Sequence, residues 1–365
     1  MSDRAVGNRT VRDRAVSNPS QLRLGRVSIL VNRKHMLFSL FFLIATIVVW
    51  LYSLGVGDYP LSISEVISVL FGGGTTIERL VVIDWRLARS LVAIVVGLAL
   101  GLAGAITQRI ARNGLASPDI LGISRGATAA TVTLMVFSGG LSSALLTYVG
   151  IPLAAIIGGV LTAIAIWLLS IKNGLDMYRL VLVGIGVNAV LAAYVTYLLT
   201  VTDLNTAAAA RVWMVGTLNG RGWDQLWPTL AVLVLCALIM LRLSVHLPIL
   251  ELGTDAAQGL GVSLNRINLI LLFISVALAA VTVSAVGPVG FVAFVAPQIA
   301  AKIVGIGTPP PLLSAILGAF LMVTSDLIAR AAFPWEVPVG IVTSAIGGPF
   351  LIWLLWRQNQ LKQPS

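Results

Sequence analysis

The chain has 365 residues, of which 58% are hydrophobic and only 10% are charged. Soluble domains carry charge on roughly a quarter of their residues, so this composition excludes an ordinary soluble protein. The formal net charge of +10 owes much to the N-terminal segment, a placement that favours a membrane surface and argues against nucleic acid as a partner.

Residues 1–35 form a basic tail ahead of the first apolar segment. We expect this tail to stay unfolded on the cytoplasmic side, against anionic membrane lipid. The apolar segment begins at Met36 and is long enough to cross a bilayer, so we interpret it as an anchor rather than a cleaved signal peptide. The tail carries eight basic residues: Arg4, Arg9, Arg12, Arg14, Arg23, Arg26, Arg33 and Lys34.

Long charge-free stretches follow the tail. The two longest, Gly126–Ile171 and Ile267–Ala301, hold 46 and 35 residues, whereas a helix needs about 20 to cross the hydrocarbon core. Each must therefore fold back and supply two spans. Continuous apolar runs also argue against a β-barrel, whose strands would alternate. The sequence predicts an all-α membrane helical bundle over 36–357 and a cytoplasmic tail over 358–365, with ten spans near 36–54, 90–108, 126–143, 150–170, 180–200, 225–243, 267–285, 288–305, 311–328 and 338–356.

Basic residues indicate how the bundle is oriented. With ten spans, the segments on the side of the two termini collect 18 Lys and Arg residues, and those on the other side collect 6. The positive-inside rule then places both termini in the cytoplasm. Five spans lie on each side of residue 205, so the second half is predicted to be inverted relative to the first, a recurrent transporter design.

The chain lacks the residues that would let it power transport by itself. None of its four lysines follows a glycine, which excludes a Walker A phosphate loop, and no paired acid–base set lies within the spans. Two distant histidines and the single cysteine, Cys236, do not indicate a metal site or a cofactor and exclude disulfides. These features favour a transport subunit that is not itself an enzyme, with an ion-coupled secondary carrier as the alternative.

Two polar regions are candidates for contacts with other proteins. Arg86, Arg89 and Arg330 lie at span ends on the outer side, where arginine either anchors a helix in lipid or binds carboxylates of a docking protein. Position alone favours the lipid anchor. The cytoplasmic stretch Arg242–Arg266 is too polar to span and is predicted to form short surface helices. Its central part, Glu251 to Gly261, is either a docking element for a separate ATPase or an ordinary surface loop.

Four motifs occur in order along the chain. Residues 113–127 read Asn-Gly-Leu-Ala-Ser-Pro-Asp-Ile-Leu-Gly-Ile-Ser-Arg-Gly-Ala and follow the second span. The others are residues 287–298, which begin with Gly-Pro and end with Pro-Gln, residues 326–330, Asp-Leu-Ile-Ala-Arg, and residues 336–349. Together they resemble the FecCD family, the permeases of binding-protein-dependent importers for ferric siderophores, haem and cobalamin. The resemblance covers roughly residues 36–357.

The resemblance implies partners and a location. Family members work in the bacterial cytoplasmic (inner) membrane as permease dimers, so the second permease is either another copy of this chain or a paralogue. Two cytoplasmic ATPase subunits hydrolyse ATP, and a substrate-binding protein delivers the cargo. Arg86 and Arg89 match the family's Arg-x-x-Arg before the second span and Arg330 its arginine after the ninth, which face glutamates of the binding protein.

The same resemblance assigns two further groups of residues. The segment that holds Glu251, Gly253, Asp255 and Gly261 matches the family's coupling helices, which sit in the ATPase cleft. By analogy, the fifth span, with Asn188 and Tyr197, lines the translocation path together with the tenth.

Some positions depart from the family pattern. Gly114 and Ala88 stand where the family often has proline, and Ala301 stands where it has arginine. Pro297-Gln298 replaces a common Pro-His pair, and because glutamine does not titrate, no proton-carrying role is assigned to the eighth span. The glutamine form resembles permeases for ferric siderophores of the enterobactin kind. The sequence thus predicts a ferric-siderophore permease, with cobalamin or haem as alternative cargo.

Overall fold

The structure is a computed structural model. It describes residues 20–24, 27–31, 33–57, 59–138, 149–171, 177–244, 247, 259 and 264–360.

The first half of the chain begins with α1 and ends with α7. A π-helical stretch, Leu80–Leu87, continues directly into α4, and a short 3-10 helix, Pro118–Leu121, precedes α5. Capping boxes begin the two small outer helices, with Ser62 and Glu65 at α2 and Thr75 and Glu78 at α3, as is common at helix starts. The helices are α1 Arg33–Gly55, α2 Ile63–Leu70, α3 Thr76–Arg79, α4 Ala88–Ala111, α5 Ile123–Phe137, α6 Ile151–Ser170 and α7 Met177–Val201.

The second half runs from α8 to α13. Asp203 caps α8 by accepting a hydrogen bond from the Thr206 amide. Pro311 occupies the first turn of α12, where its missing N–H costs nothing. The helices are α8 Leu204–Val215, α9 Trp223–Leu243, α10 Leu264–Val286, α11 Val292–Val304, α12 Pro311–Ala331 and α13 Val339–Gln360.

All ten predicted spans coincide with helices, but not all of these helices are equally long. Eight helices in the described residues are long and apolar enough to cross a membrane: α1, the continuous segment Thr76–Ala111 that ends with α4, and α6, α7, α9, α10, α12 and α13. The third and eighth predicted spans correspond to α5 and α11, which have only 15 and 13 residues. At 1.5 Å per residue these helices rise roughly 20 Å, less than the hydrocarbon thickness of about 30 Å.

The two short helices have different surroundings. Before α11, Gly287 and Phe291 have positive φ, and residues 287–291 are not helical. The predicted span 288–305 is therefore helical only from Val292 to Val304. The predicted span 126–143 continues past the end of α5 into residues 139–148, which lie outside the described residues.

Helix α4 forms the centre of the bundle. In an 18-residue apolar stretch of the membrane-spanning segment that ends with α4, 83% of the residues are buried, against 17% in the corresponding stretch of α7. Gly97, Gly101 and Gly104 form a glycine stripe that lets neighbouring helices approach this closely. A Cβ on Gly97 would stand 2.5 Å from the Gly318 carbonyl oxygen of α12. Cβ atoms on Gly101 and Gly104 would collide with the carbonyl oxygens of Ser314 and Ala293. The stripe therefore serves close helix packing, as its spacing predicts. Cys236 of α9 is also buried.

The N-terminal tail contains a local element that the sequence analysis does not predict. Ser20–Leu24 and Val27–Val31 form two antiparallel strands, with Leu24 paired to Val27. The second strand is rich in β-branched side chains that favour extended backbone, and the unfolded state expected for the tail as a whole stays a prediction. A lone two-stranded hairpin is marginally stable in water, so the hairpin does not amount to a second domain.

Candidate functional site

Two polar regions interrupt the apolar bundle. The first is a cluster defined by Arg86, Arg89, Asp326, Arg330 and Glu336, called here the outer arginine cluster after the side of the membrane that the sequence predicts for it. All of these residues except Asp326 line a cavity of about 360 Å³. The second is a larger cavity of about 640 Å³, called here the path cavity. The sequence analysis assigns three residues to docking and two to the translocation path. The two regions together contain four of these five: Arg86, Arg89, Arg330 and Asn188.

Asp326 is the centre of the outer cluster. It lies in α12 and is 1% exposed, so its carboxylate must be compensated by charge or hydrogen bonds. Arg89 from α4 donates to Asp326 Oδ1 through Nε at 2.9 Å and Nη2 at 2.7 Å. Arg330, one turn further along α12, lies 3.1 Å from Oδ2. Two guanidinium groups thus share one buried carboxylate and tie α4 to α12.

The remaining contacts of the cluster reach the end of α1 and the outer surface. Arg86 donates from Nη1 to the Leu54 carbonyl at 2.9 Å and from Nη2 to the Tyr59 carbonyl at 2.7 Å, which satisfies a carbonyl at the C-terminal end of α1. Arg89 also donates to Glu336, which is partly exposed. The three arginines that the sequence places near span mouths are therefore brought together and largely buried, and their contacts with carbonyls and carboxylates do not fit simple lipid anchors.

The rim of this outer cavity is aromatic. Trp85, Phe333 and Trp335 line it beside the arginines, and Trp335 is 70% exposed. Three guanidinium groups face two carboxylates, so the cluster has an excess positive charge. A basic pocket with exposed tryptophan is the composition that protein–protein interfaces favour.

The path cavity lies between several helix ends. Its lining includes Ser124, Arg125 and Thr128 of α5, Asn188 of α7, and Gly340, Ile341 and Ser344 of α13. The end of α8 and residues 288–290 complete it. The structure thus brings the fifth and tenth predicted spans to one cavity. Asn188 lines this cavity, whereas Tyr197 is not part of the lining and is 61% exposed on α7.

Polar groups gather where α5 begins. The Ser124 hydroxyl donates a hydrogen bond to the Asp119 carboxylate, and the Asn188 amide nitrogen lies 3.5 Å from the Asp119 carbonyl oxygen. Burial raises the pKa of Asp119, while the Ser124 hydrogen bond and the charge of Arg125 act in the opposite direction. The side-chain oxygen of Asn188 is buried without a hydrogen-bond partner in the described part of the chain.

Sequence reasoning assigned no role to Arg125 or Asp119. Both lie within the motif 113–127, so the motif identified the region but not the function of its charged members. The available signal was a charged pair, six residues apart, at the edge of a charge-free run of 46 residues. Only the fold shows that this edge faces a cavity.

Backbone segments meet closely at the other end of the path cavity. Gly340 of α13 donates its N–H to the Gly216 carbonyl at 3.1 Å, and Thr217 donates to the Val286 carbonyl at 2.8 Å. A Cβ on Gly287 would stand 2.5 Å from the Trp213 carbonyl oxygen. Glycine is therefore required here for the loop after α10, the end of α8 and the start of α13 to touch through their backbones.

Gln298 is held by contacts inside the helical bundle. Its amide donates to Gln108 Oε1 of α4 at 2.9 Å, and Gln108 in turn donates to the Phe294 carbonyl at 3.1 Å. The side chain also packs against Gly114, where a Cβ would collide with it. The two departures from the family pattern, Gly114 and Gln298, are thus in contact and accommodate each other. The proposed coupling residues Glu251, Gly253, Asp255 and Gly261 lie outside the described residues.

Comparisons with known proteins agree with this architecture. Residues 45–357 match the model of the FecCD transport family. The ferric enterobactin transport system permease protein FepG of Escherichia coli is 37% identical over 92% of this chain and 100% of its own length. The iron(3+)-hydroxamate import system permease protein FhuG of Bacillus subtilis is 36% identical over 86% of this chain and 94% of its own.

A solved structure matches the fold over nearly all of its length. It is an inward-facing conformation of a metal-chelate type ABC transporter, 27% identical, with a TM-score of 0.77, covering 88% of this chain and 99% of that chain. The resemblance drawn from the four motifs is confirmed, and the chain belongs to the FecCD transport family of multi-pass inner-membrane permeases.

Proposed function

We propose that this chain is the permease subunit of an ATP-driven importer that carries a ferric siderophore of the enterobactin kind into the cytoplasm. The observation that carries the proposal is the path cavity, a space of about 640 Å³ between α5, α7 and α13 whose lining includes the polar side chains of Ser124, Arg125 and Asn188. The siderophore supplies the ligands of the iron, so the path needs no metal-binding residues of its own.

The cargo is inferred from the relatives. FepG serves ferric enterobactin and FhuG an iron hydroxamate by their names, and their identities to this chain differ by only one percentage point. Gln298 favours the enterobactin kind, as in the sequence analysis. Cobalamin and haem are the alternative cargoes within the family.

The proposed assembly has five parts. Two permeases, identical or paralogous, form the path, with ten spans each and both termini in the cytoplasm. Two ATPase subunits pull on the segment from Glu251 to Gly261, and a substrate-binding protein docks on the outer side. Closure of the ATPases changes how the fifth and tenth spans pack around the path cavity.

The outer arginine cluster is the proposed docking site. Arg86, Arg89 and Arg330 hold internal partners, so carboxylates of the docking protein would add to an existing charge network from the open side of its cavity. Replacing Arg86 and Arg89 by glutamate would crowd Asp326 and Glu336 with like charge and disturb the fold together with docking. The exposed aromatic rim offers a cleaner test.

We expect Trp335→Ala to weaken binding of the substrate-binding protein about tenfold, the usual effect of removing an interface tryptophan. Binding is measured by titrating the soluble binding protein onto the purified permease–ATPase complex. Trp227→Ala is the matched control, because Trp227 is an exposed tryptophan of α9 (60%, against 70% for Trp335) outside the lining of the outer cavity. Equal affinity for Trp335→Ala and the unmodified complex would contradict docking at this pocket.

Uptake by iron-starved cells tests the function itself. Deletion of the gene should abolish uptake of radiolabelled ferric enterobactin, and a plasmid copy should restore it. Normal uptake of every ferric siderophore would refute the cargo, and cobalamin and haem would then be tested. Uptake that survives ATP depletion while an ion gradient persists would instead support an ion-coupled carrier.

A further inference from the structure

The path cavity has an unusual balance of charge. Asp119 and Arg125 are the charged side chains in its lining. Arg125 is exposed to the cavity, and no carboxylate of the described residues lies within ion-pair distance of its guanidinium group. In the outer cluster, by contrast, Arg89 and Arg330 both contact a carboxylate.

Asp119 does not cancel the charge of Arg125 by contact. Its carboxylate instead accepts a hydrogen bond from the Ser124 hydroxyl. Burial raises the pKa of this carboxyl, while the Ser124 hydrogen bond and the charge of Arg125 act in the opposite direction. The guanidinium group of Arg125 is therefore a positive group in the lining that no carboxylate of the described residues contacts.

The other polar groups of the lining are neutral. Ser344 presents a hydroxyl group and Asn188 an amide, whereas the hydroxyl of the buried Thr128 donates to the Ser124 carbonyl. The neutral groups can form hydrogen bonds with a ligand of any charge, whereas a guanidinium without a contacting carboxylate distinguishes anions from cations. Between helices the effective dielectric constant is lower than in bulk water, so this charge acts on a ligand more strongly than it would in water.

Resting on the proposed function, we propose that Arg125 is a specificity-determining residue of the path, which favours ferric chelates of net negative charge over neutral and cationic ones. Its planar fork of N–H donors suits paired phenolate or carboxylate oxygens on the chelate surface. In a dimer of two copies, one Arg125 from each subunit would act on the same cargo.

The test uses the complete transporter, permease with its ATPase and binding protein, in liposomes supplied with ATP. Transport KM and kcat are measured for three ferric chelates: a triply negative tris-catecholate, a neutral tris-hydroxamate and a cationic hydroxamate. Each variant is compared with the unmodified chain for each chelate separately, which cancels the selectivity of the binding protein. The variants are Arg125→Gln, Arg125→Lys and, as control, Arg211→Gln, which removes an exposed arginine of α8 outside the cavity lining.

We expect Arg125→Gln to lower kcat/KM for the anionic chelate about tenfold, or 1.4 kcal/mol, with little change for the neutral chelate and a gain for the cationic one. Arg125→Lys should retain most of the anionic transport, and Arg211→Gln should change none of the three. An equal loss for all chelates, or no loss for any, would overturn the role of Arg125 while leaving the siderophore importer intact. If the unmodified chain transported only the neutral chelate, that result would also overturn the role of Arg125 and leave the importer intact. Transport of no ferric chelate by the unmodified chain would refute the proposed function and this inference together.

Discussion

The outer arginine cluster and the path cavity use the same residue type in opposite ways. In the cluster, Arg89 and Arg330 share the buried Asp326, and Arg86 holds carbonyls near the end of α1. In the cavity, Arg125 faces open space without a contacting carboxylate among the described residues. Paired buried charges hold elements in register, whereas an unpaired charge is available to a ligand. The comparison predicts that removing charge from the cluster affects stability first and that removing it from the cavity affects selectivity first.

Asp326→Asn should produce the largest effect, because it leaves two largely buried guanidinium groups without their carboxylate. Breaking a buried charge pair in this way costs about 3–5 kcal/mol. We expect a large drop in the thermal unfolding temperature of the detergent-purified chain and a lower amount in the membrane. Glu336→Gln is the control: it removes a partly exposed carboxylate from the same cluster and should cost about 1 kcal/mol or less. Equal stability of the Asp326→Asn chain would contradict the structural role of the cluster.

Gly101→Ala tests the close packing of α4 against α12, the two helices that the outer arginine cluster joins. Its Cβ would collide with the Ser314 carbonyl oxygen, forcing α4 away from α12. Overpacking of this kind costs about 1–3 kcal/mol. Gly186→Ala on α7 is the matched control, since a Cβ there has no atom within 4 Å and alanine favours the helix by up to about 1 kcal/mol. Thermal unfolding of the two variants should move in opposite directions, and a drop for both would show that the glycine stripe is not the reason.

The smallest expected effect concerns the outer helix α2, beside the cluster. Hydrogen bonds from the Ser62 backbone and side chain lower the pKa of Glu65. Because the folded-state pKa lies below the ordinary glutamate value, this contribution to stability is present above that value and is lost as the pH falls through the lowered pKa. Amide hydrogen exchange of α2 should therefore accelerate on acidification below the ordinary glutamate range, beyond the intrinsic change. Ser62→Ala should remove only part of this pH dependence, because the hydrogen bond from the Ser62 backbone N–H is the larger cause and remains. Glu65→Gln removes the titrating carboxylate and should abolish the pH dependence, and its persistence in Glu65→Gln would contradict the cap.

Much of the fold follows from the sequence because lipid imposes a simple rule. A chain that leaves backbone groups unsatisfied cannot cross the hydrocarbon core, so charge-free runs of known length give helices of known number and order. The rule is weakest where backbone leaves the helix inside a span. At Gly287 and Phe291 the motif, rather than the hydropathy, indicates the break.

The site was harder to predict than the fold. Arg86, Arg89 and Arg330 were identified as a set by their places at span ends and by the family motif. Asp326, which Arg89 and Arg330 share, is 237 residues from Arg89 in the chain, and no sequence pattern shows that pairing. Arg125 and Asp119 were visible as residues of a motif, but their charges acquire a function only when α5, α7 and α13 enclose a common space.

The single cysteine offers a practical consequence. Cys236 is buried within α9, and a buried thiol reacts slowly with maleimides because the reagent does not reach it. A fluorophore can therefore be attached to one engineered cysteine on the rim or in the path without first removing the native thiol. Two such labels, one in each copy of a permease pair, would report the opening and closing of the path in single molecules during ATP turnover.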